Sequence, residues 1–386
     1  MSAASAQALF RWDHIVEHVY TANYIIIVWL LLFWFFRRRV KNVSPLVLAR
    51  EKRQDYSNLT PILVVFMTIL PMVLWAAFRD DIQDTYNYRS LFWERPVSKE
   101  YVLEVLDSDI HDKGYVLFSV LIKLIVGNND YWFFGICAFV SLILISYVYR
   151  RVSSEYSFSM LLFFVSCDYY SWVLNGMRQG MAAAMIFYAS LMLMDKKYIR
   201  FILFTFLAFT FHSTSIVFLI AIILINQKPW SRRLVLVSLA FAVVLFILTQ
   251  RVSFVNDLFA ETHYSYAVKE IENDGGVSAI RALVYAVPVI IAFIYRKKIA
   301  ESNDRILQVS INMSFIGVLF YVLGVFTSGV FIGRLPIYFS LWNYVLLAWE
   351  LNYLFDSKEN LVRAITVAFY LIYNFYQTWT NMKTYR

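Results

Sequence analysis

The chain has 386 residues, of which 60% are hydrophobic and 16% charged, and its mean hydropathy is +0.58. A soluble globular domain carries about 45–50% apolar and about 25% charged residues, so this composition excludes an ordinary soluble protein. The net charge of +8 would favour a nucleic-acid partner in a soluble chain. Here Lys and Arg concentrate in short linkers between apolar runs, which is typical of cytoplasmic loops and predicts no nucleic-acid partner.

Apolar runs divide the chain into segments that mostly approach the roughly 20 residues needed to cross a bilayer as a helix. The runs are 20–36, 60–78, 130–149, 158–175, 179–195, 198–211, 213–226, 234–249, 278–295, 306–326, 335–353 and 363–379. They predict an all-α, polytopic transmembrane helical protein with about 12 spans, forming one domain over residues 1–386. The two cysteines, Cys137 and Cys167, lie inside these runs and are predicted to be buried thiols.

Every second linker between the runs is strongly basic, which orients the chain in the membrane. These linkers are RRRVKN at 37–42 with REKR at 50–53, Arg150–Arg151, Lys196–Lys197–Arg200, Lys228–Arg232–Arg233, Arg296–Lys297–Lys298, and Lys358 with Arg363. The positive-inside rule places them in the cytoplasm and both termini on the outer, periplasmic side. Residues 79–129 and 250–277 then form large outer-face loops, and residues 1–19 an outer-face interfacial segment.

The segment 114–126 does not fit this alternation, because it is apolar but has only 13 residues. Counting it as a span would reverse every later loop. We interpret it as a re-entrant or interfacial segment on the outer side, which a protein interior or a cavity can hold at membrane depth. A spanning helix is the alternative.

Arg79, Arg178, His212 and Arg334 each lie where an apolar run starts or stops, and all four fall on the outer side. Charges beside hydrocarbon are costly unless they line a water-filled cavity or are paired. The two runs that flank His212 have about 14 residues each, or about 21 Å as helix against a core of about 30 Å, so His212 is expected below the outer surface. The pattern predicts an outward-opening cavity with a histidine floor and an arginine rim, suited to an anionic, phosphate-bearing substrate.

The first outer loop contains two polar clusters. Residues 79–88, RDDIQDTYNY, combine one arginine with three carboxylates, which can hold sugar hydroxyls or supply a general base such as Asp84. A solvated loop with a helix N-cap is the alternative interpretation. Residues 111–115, HDKGY, place Asp112 before the short apolar segment, where it can cap a helix or take part in catalysis.

Arg178 opens an apolar helix in the sequence NGMRQGMAAA at 175–184. A cation beside the positive end of a helix dipole has the wrong sign for stability. It has the right sign for binding phosphate, because free helix N–H groups and a guanidinium act together. This cluster therefore favours a functional role.

The last two clusters surround His212 and Arg334. His212, in the sequence FHSTS, can be a proton acceptor, a donor to a phosphate oxygen, or a hydrogen-bonded structural residue. Arg334 precedes Pro336, which suits the first turn of a helix, and Tyr338 lies one turn further along the same face. For Arg334, an anchor that reaches the membrane interface is the alternative.

The sequence contains no HExxH motif, no cysteine cluster, no Walker motif and no Gly-rich dinucleotide loop. We therefore predict neither a metal nor a cofactor. ATP-driven transport and redox chemistry lose support for the same reason.

In this order, the clusters resemble the EpsG family of bacterial exopolysaccharide and O-antigen polymerases, the Wzy-like proteins. The matching positions, between about residues 60 and 345, are Arg79, Asp84, Thr85 and Tyr88; Asp112, Gly114 and Tyr115; Arg178, Gln179 and Ala182; Phe211, His212 and Ser215; and Arg334, Tyr338 and Phe339. One departure is Asp112, where the family more often has Glu.

The resemblance implies a GT-C-like, metal-independent glycosyltransferase in the bacterial cytoplasmic (inner) membrane. Its substrates would be undecaprenyl-pyrophosphate-linked oligosaccharides, which it would polymerise on the outer face of the membrane. A chain-length regulator and a flippase are the further partners implied, beside the lipid bilayer itself.

We expect direct displacement at the anomeric carbon, with roles divided among the matching residues. Arg178 and Arg334 would hold the donor pyrophosphate with help from Arg79. His212 is the first choice for the base that removes the acceptor proton, Asp84 the second, and Asp112 a third candidate. The remaining substrate-binding candidates are Tyr88, Tyr115, Gln179 and Tyr338.

Two other functions stay open at the level of sequence. A lipid-linked oligosaccharide flippase would need charges at mid-membrane and related halves, and the sequence shows neither. An O-antigen ligase uses the same donor chemistry and is therefore harder to distinguish.

Overall fold

The computed structural model describes residues 3–37, 60–250, 276–327, 329, 331–355 and 359–383. Every regular element in these residues is helical, which confirms the all-α class. The helices are α1 Ala3–Arg37, α2 Ile62–Ala77, α3 Thr85–Glu94, α4 Lys99–Asp107, α5 Lys113–Val126, α6 Asp130–Val152, α7 Tyr156–Val165, a π-helix Tyr169–Asn175, α8 Met177–Met194, α9 Tyr198–Phe211, a 3₁₀-helix Ser213–Ile220, α10 Ala221–Leu224, α11 Arg232–Gln250, α12 Ala279–Ile294, α13 Arg296–Ser302, α14 Arg305–Val325, a 3₁₀-helix Ile332–Arg334, α15 Ile337–Tyr353 and α16 Glu359–Lys383.

Side chains that cap helix termini explain where two of the longest helices begin. The Asn129 side chain accepts a hydrogen bond from the Trp132 N–H at the start of α6. The Asp304 carboxylate accepts from the first N–H groups of α14. Both satisfy backbone donors that have no partner within the helix.

Three helices among the described residues are long and apolar enough to cross a membrane: Asp13–Phe36, Asp130–Val152 and Arg305–Val325. The number rises to five if each of two bent pairs is one span. Every predicted run coincides with a helix or a helix pair, but several of these helices are too short to span alone, such as Ile62–Ala77 and Tyr198–Phe211. The chain is thus an all-helical protein with three to five candidate spans, and the count of about 12 stays a prediction.

The predicted run 158–175 is not one straight helix. It divides into α7 and the π-helix, whose axes differ by 75°, and Cys167 at the break has a φ of +66°. A left-handed residue ends an α-helix because its backbone cannot continue the ladder of hydrogen bonds. Both cysteines are free and buried, as predicted.

The N-terminal segment and the outer loops are also more helical than the sequence indicates. Residues 3–19 of the predicted interfacial segment belong to the same continuous helix as the first apolar run. Loop 79–129 contains α3, α4 and α5. Most of loop 250–277 and the linkers at 38–53 and Lys358 lie outside the described residues.

The chain divides into two compact units. Unit 1 comprises Met1–Asp107, Gly114–Met181 and Phe355–Arg386, and unit 2 comprises Ser108–Lys113 and Ala182–Leu354. The single domain over residues 1–386 stays a prediction.

In unit 1, α2 packs against α6, and α1 against α7. Buried polar contacts join the first and last helices of the chain. The Asn23 amide donates to the Asn374 side chain over 2.7 Å, and Glu155 accepts from both Trp34 and Arg363. Buried polar pairs of this kind fix which helices are neighbours.

In unit 2, α14 packs against α12 and α15. The Tyr285 ring lies 4.4 Å from the Tyr321 ring, and its hydroxyl is 3.0 Å from that of Tyr344, so one residue of α12 contacts both partner helices. Helix α9 and the following 3₁₀-helix pack as a hairpin that turns at His212. The break at this histidine was predicted from the lengths of the two runs.

Candidate functional site

Unit 1 brings together three of the predicted residues, Tyr88, Tyr115 and Arg178, which are far apart in sequence. The Arg178 guanidinium lies 6.0 Å from the Tyr88 ring centroid and 5.9 Å from that of Tyr115. The two rings are buried, 6.2 Å apart and roughly perpendicular. The cation therefore lies against two aromatic faces, an arrangement that orients a guanidinium while leaving its positive charge in place.

The backbone around Arg178 has an unusual local structure. The π-helix ends at Asn175 and α8 begins at Met177, so Arg178 lies in the first turn of α8. A Cβ atom at Gly180 would lie 2.2 Å from the Trp172 carbonyl oxygen, so only glycine fits at this position. Single π-turns beside α-helices occur often at functional sites.

Arg79 is buried and binds the same turn from within unit 1. Its guanidinium donates to the carbonyl oxygens of Leu174, at 2.6 Å, and Val173, at 3.5 Å, and lies 4.1 Å from the Phe134 ring centroid. Burial lowers the pKa of Arg79 from 12.5 to about 10, so the side chain remains a cation at neutral pH. Sequence analysis expected Arg79 at an open rim, whereas only 2% of its surface is exposed.

The three carboxylates that follow Arg79 have different environments. Asp81 pairs with Arg89, which also binds Asp130, and Asp80 lies 2.6 Å from the His18 ring. Asp84 is exposed and precedes α3, but its side chain makes no capping hydrogen bond. Asp84 is therefore the member of this group that solvent reaches most easily.

Two other predicted residues are connected to Arg178. Gln179 follows it in the chain, and Asp84 contacts the turn before it. The Asp84 N–H lies 3.3 Å from the Asn175 side-chain oxygen, which connects the first outer loop to the turn before α8. Gln179 is buried beside Arg178. This hydrogen bond thus fixes the backbone of Asp84 next to the turn that carries Arg178.

Unit 2 brings together the catalytic candidates Asp112 and His212, which are 100 positions apart. His212 Nδ1 lies 3.4 Å from Asp112 Oδ2; the Asp112 side chain is 2% exposed and that of His212 is 18% exposed. Asp112 adopts a φ of +58°, a left-handed conformation that Asp tolerates better than most residues. A residue that caps a helix N-terminus is usually extended, so this conformation favours the contact with His212 over a capping role.

A second pair lies immediately after His212 in the chain. The Thr214 hydroxyl is 2.8 Å from that of Tyr338, which connects the 3₁₀-helix to α15. Ser215 is fully buried, and its hydroxyl has no hydrogen-bond partner among the described residues. A 3₁₀-helix of eight residues is long for this geometry, and such stretches often mark a functional hinge.

Arg334 has a different environment from Arg79 and Arg178. It ends the short 3₁₀-helix before α15, and it is exposed, whereas Tyr338 one turn later is buried. The outward-opening cavity expected from Arg79, Arg178, His212 and Arg334 stays a prediction.

The family model of the EpsG family matches residues 62–386. The chain belongs to the EpsG family. No curated protein and no solved structure matches it. The match confirms the resemblance drawn from the ordered clusters and extends it beyond residue 345 to the C-terminus. EpsG membership supports a membrane protein that acts in polysaccharide biosynthesis as a polymerase or glycosyltransferase-like protein.

Sequence reasoning missed one arginine in this EpsG protein. Arg281 lies in the first turn of α12, and its guanidinium is 6.0 Å from the Tyr321 ring centroid. Like Arg178, it opens an apolar helix that follows a predicted outer loop. Applying the same criterion to every outer helix start would have found it.

Among the described residues of this EpsG chain, no group of three or more His, Cys, Asp or Glu side chains could hold a metal ion. The structure brings guanidinium and tyrosine groups together within unit 1, and imidazole and carboxylate groups within unit 2. These groups bind anions and transfer protons.

Proposed function

We propose that the protein is a glycosyltransferase that polymerises undecaprenyl-pyrophosphate-linked oligosaccharide repeat units on the outer face of the bacterial cytoplasmic membrane. The observation that carries the proposal is the EpsG family match over residues 62–386, together with the contacts that its motif residues make. The reaction proposed needs no metal ion, because guanidinium groups stabilise the leaving pyrophosphate.

In unit 1, Arg178 is proposed to bind the pyrophosphate of the donor. The planar guanidinium can donate two parallel hydrogen bonds to phosphate oxygens, and the two tyrosine rings restrict its orientation. N–H groups in the first turn of α8 add to the positive potential there. Negative charge that develops on the leaving group would be stabilised by this prepared arrangement.

In unit 2, His212 is proposed to be the general base and Asp112 the residue that orients it. Because the Asp112 carboxylate faces Nδ1, that nitrogen carries the proton and donates to the carboxylate. Nε2 is then the unprotonated nitrogen that can accept the proton of an acceptor hydroxyl. This division of roles supports His212 over Asp84 and Asp112 as the base.

The proposed step is a direct displacement. The acceptor hydroxyl oxygen forms a bond to the anomeric carbon of the donor while its proton passes to His212 Nε2. The bond between that carbon and the pyrophosphate oxygen breaks, and its electron pair leaves with undecaprenyl pyrophosphate. His212 then releases its proton to solvent, which restores the starting state.

Five further residues are proposed to bind substrate: Arg334, Tyr338, Tyr88, Tyr115 and Gln179. Arg334 is exposed and can contact an anionic group of a lipid-linked substrate directly. Each tyrosine can hydrogen-bond a substrate through its hydroxyl group. Their contacts with Arg178 in unit 1 and with Thr214 in unit 2 hold them in fixed orientations.

The test is incubation of the purified full-length protein with a synthetic undecaprenyl-pyrophosphate repeat unit, followed by gel separation of the products. A ladder of increasing length is the expected result. Transfer to a separate acceptor alone would identify a ligase. No product, combined with movement of the lipid-linked unit across vesicle membranes, would identify a flippase and overturn the proposal.

A further inference from the structure

The buried guanidinium of Arg79 closes the C-terminal end of the π-helix. The carbonyl oxygens of Val173 and Leu174 lie in the last turn of that helix, where backbone acceptors lack partners further along the chain. Arg79 donates to both of them, at 3.5 and 2.6 Å. A cation at the C-terminal end of a helix also has the favourable sign for the helix dipole.

The other sides of this guanidinium are enclosed as well. The Phe134 ring centroid lies 4.1 Å from its central carbon, and the sulfur of Met177 lies 2.8 Å from one terminal nitrogen. The side chain is therefore fixed by a ring, a thioether and two carbonyl groups, with 2% of its surface exposed. A group in this position has little access to a phosphate.

The residues that Arg79 contacts immediately precede Arg178 in the chain. The Arg79 guanidinium donates to the Leu174 carbonyl oxygen and contacts the Met177 sulfur. Arg178 directly follows Met177 in the chain. On the other side of this turn, the close approach of Gly180 to Trp172 fixes the start of α8. The turn from 174 to 178 is thus held at both of its ends.

We propose that Arg79 is a positioning residue: it fixes the turn from which Arg178 binds the pyrophosphate, and it does not contact the phosphate itself. This inference rests on the proposed function, because it assigns Arg79 a role in the same anion site. It takes Arg79 out of the set of pyrophosphate ligands, where the sequence analysis gave it an assisting role beside Arg178.

The decisive experiment is a double-mutant cycle on pyrophosphate affinity. Inorganic pyrophosphate is titrated calorimetrically into purified full-length wild type, Arg79→Met, Arg178→Ala and the double variant. If Arg79 acts through Arg178, the single change weakens binding about tenfold and has no further effect in the Arg178→Ala background. Independent effects that multiply in the double variant would overturn the inference, as would unchanged affinity in Arg79→Met.

Two controls separate positioning from loss of structure. Arg79→Lys keeps the charge but loses the second terminal nitrogen, which contacts the Met177 sulfur, and the planar face that lies against Phe134. It is therefore also expected to weaken pyrophosphate binding. Arg363→Lys changes another buried guanidinium of unit 1, one that pairs with Glu155 instead of the turn. It is expected to lower the melting temperature without changing pyrophosphate affinity.

A measurement on the wild type covers the case in which the variants do not fold. Arginines are modified with phenylglyoxal with and without pyrophosphate, and the sites are identified by mass spectrometry. We expect Arg178 to be modified and then protected by pyrophosphate, while Arg79 is unmodified in both conditions. Modification of Arg79 that pyrophosphate prevents would overturn the positioning role. Loss of the Arg178 effect, in either experiment, would instead overturn its proposed function in anion binding.

Discussion

The two units hold their candidate functional groups by different physical means. In unit 1 the Arg178 guanidinium lies against the faces of two tyrosines. In unit 2 the His212 imidazole faces a buried carboxylate. An aromatic face orients a cation without neutralising it, whereas a carboxylate holds an imidazole in one tautomer. The first arrangement suits a group that must attract an anion, and the second suits a group that must accept a proton.

The largest effect is expected at the base in unit 2. His212→Ala removes the proton acceptor, and loss of a general base typically lowers a rate by about 10²–10⁴-fold. The measurement is the single-turnover rate with a synthetic lipid-pyrophosphate repeat unit. Pyrophosphate affinity should be unchanged, because the imidazole is proposed to accept a proton and not to bind the pyrophosphate.

His111→Ala is the matched control for this experiment, because His111 is exposed and lies one position before Asp112. Its rate should equal that of the wild type. Equal losses in both histidine variants would argue against a specific role for His212. Full activity of His212→Ala would remove it from the mechanism and return attention to Asp84.

The next effect is expected at Arg178 in unit 1. Arg178→Ala should lower the polymerisation rate by about 10²–10³-fold, as for loss of one prepared donor to a developing negative charge. In cells, single repeat units should remain on the carrier while longer polymer disappears from the gel. Arg178→Lys keeps the charge without the planar fork and should recover only part of the rate.

Arg151→Ala is the control for Arg178. Arg151 also stacks on a tyrosine, Tyr147, at 5.5 Å, but it belongs to a basic linker predicted to be cytoplasmic. A normal polymer ladder is expected from it. A normal ladder from Arg178→Ala would refute the role of Arg178 in binding pyrophosphate.

A smaller effect is expected when the carboxylate of unit 2 is neutralised. Asp112→Asn keeps the shape of the side chain but weakens the interaction with His212, and a hydrogen bond to a charged group contributes about 1.5–3 kcal/mol. The contact is long, at 3.4 Å, so we expect a loss near the lower limit, about tenfold in rate. Asp112→Glu, which keeps a carboxylate, should retain more activity than Asp112→Asn; the reverse order would contradict an orienting carboxylate.

The sequence could nominate candidate residues, but it could not predict which of them are in contact. The apolar runs stop and restart at His212, and because this interruption is visible in the local sequence, the break there could be predicted. The bend at Cys167 was missed, because no glycine or proline marks it. The contact between Asp112 and His212 spans 100 positions and depends on tertiary packing that no local pattern encodes.

The same distinction explains the reassignment of Arg79. Arg79 and Arg178 both lie at the boundary of an apolar run on the predicted outer side, so the sequence made Arg178 a ligand of the pyrophosphate and Arg79 an assisting ligand. The two arginines differ in the structure because Arg79 donates to the carbonyl groups of Val173 and Leu174 at the end of the π-helix. A π-helix has no reliable sequence pattern, so its C-terminal acceptors could not be anticipated.

The smallest effect is expected from the aromatic rings that distinguish unit 1 from unit 2. Both rings lie near the distance limit for a cation–π contact, at 6.0 and 5.9 Å. A cation–π contact contributes about 0.5–1 kcal/mol at an exposed site and about 2 kcal/mol when it is desolvated at close range. Because these buried rings lie at the distance limit, Tyr115→Leu should weaken pyrophosphate binding only about two- to fivefold. Tyr115→Phe keeps the ring and should bind as the wild type does, and Tyr86→Leu, at an exposed tyrosine in α3, is the control. If Tyr115→Phe is as weak as Tyr115→Leu, the hydroxyl and not the ring face orients Arg178, and the contrast between aromatic and carboxylate support would have to be abandoned.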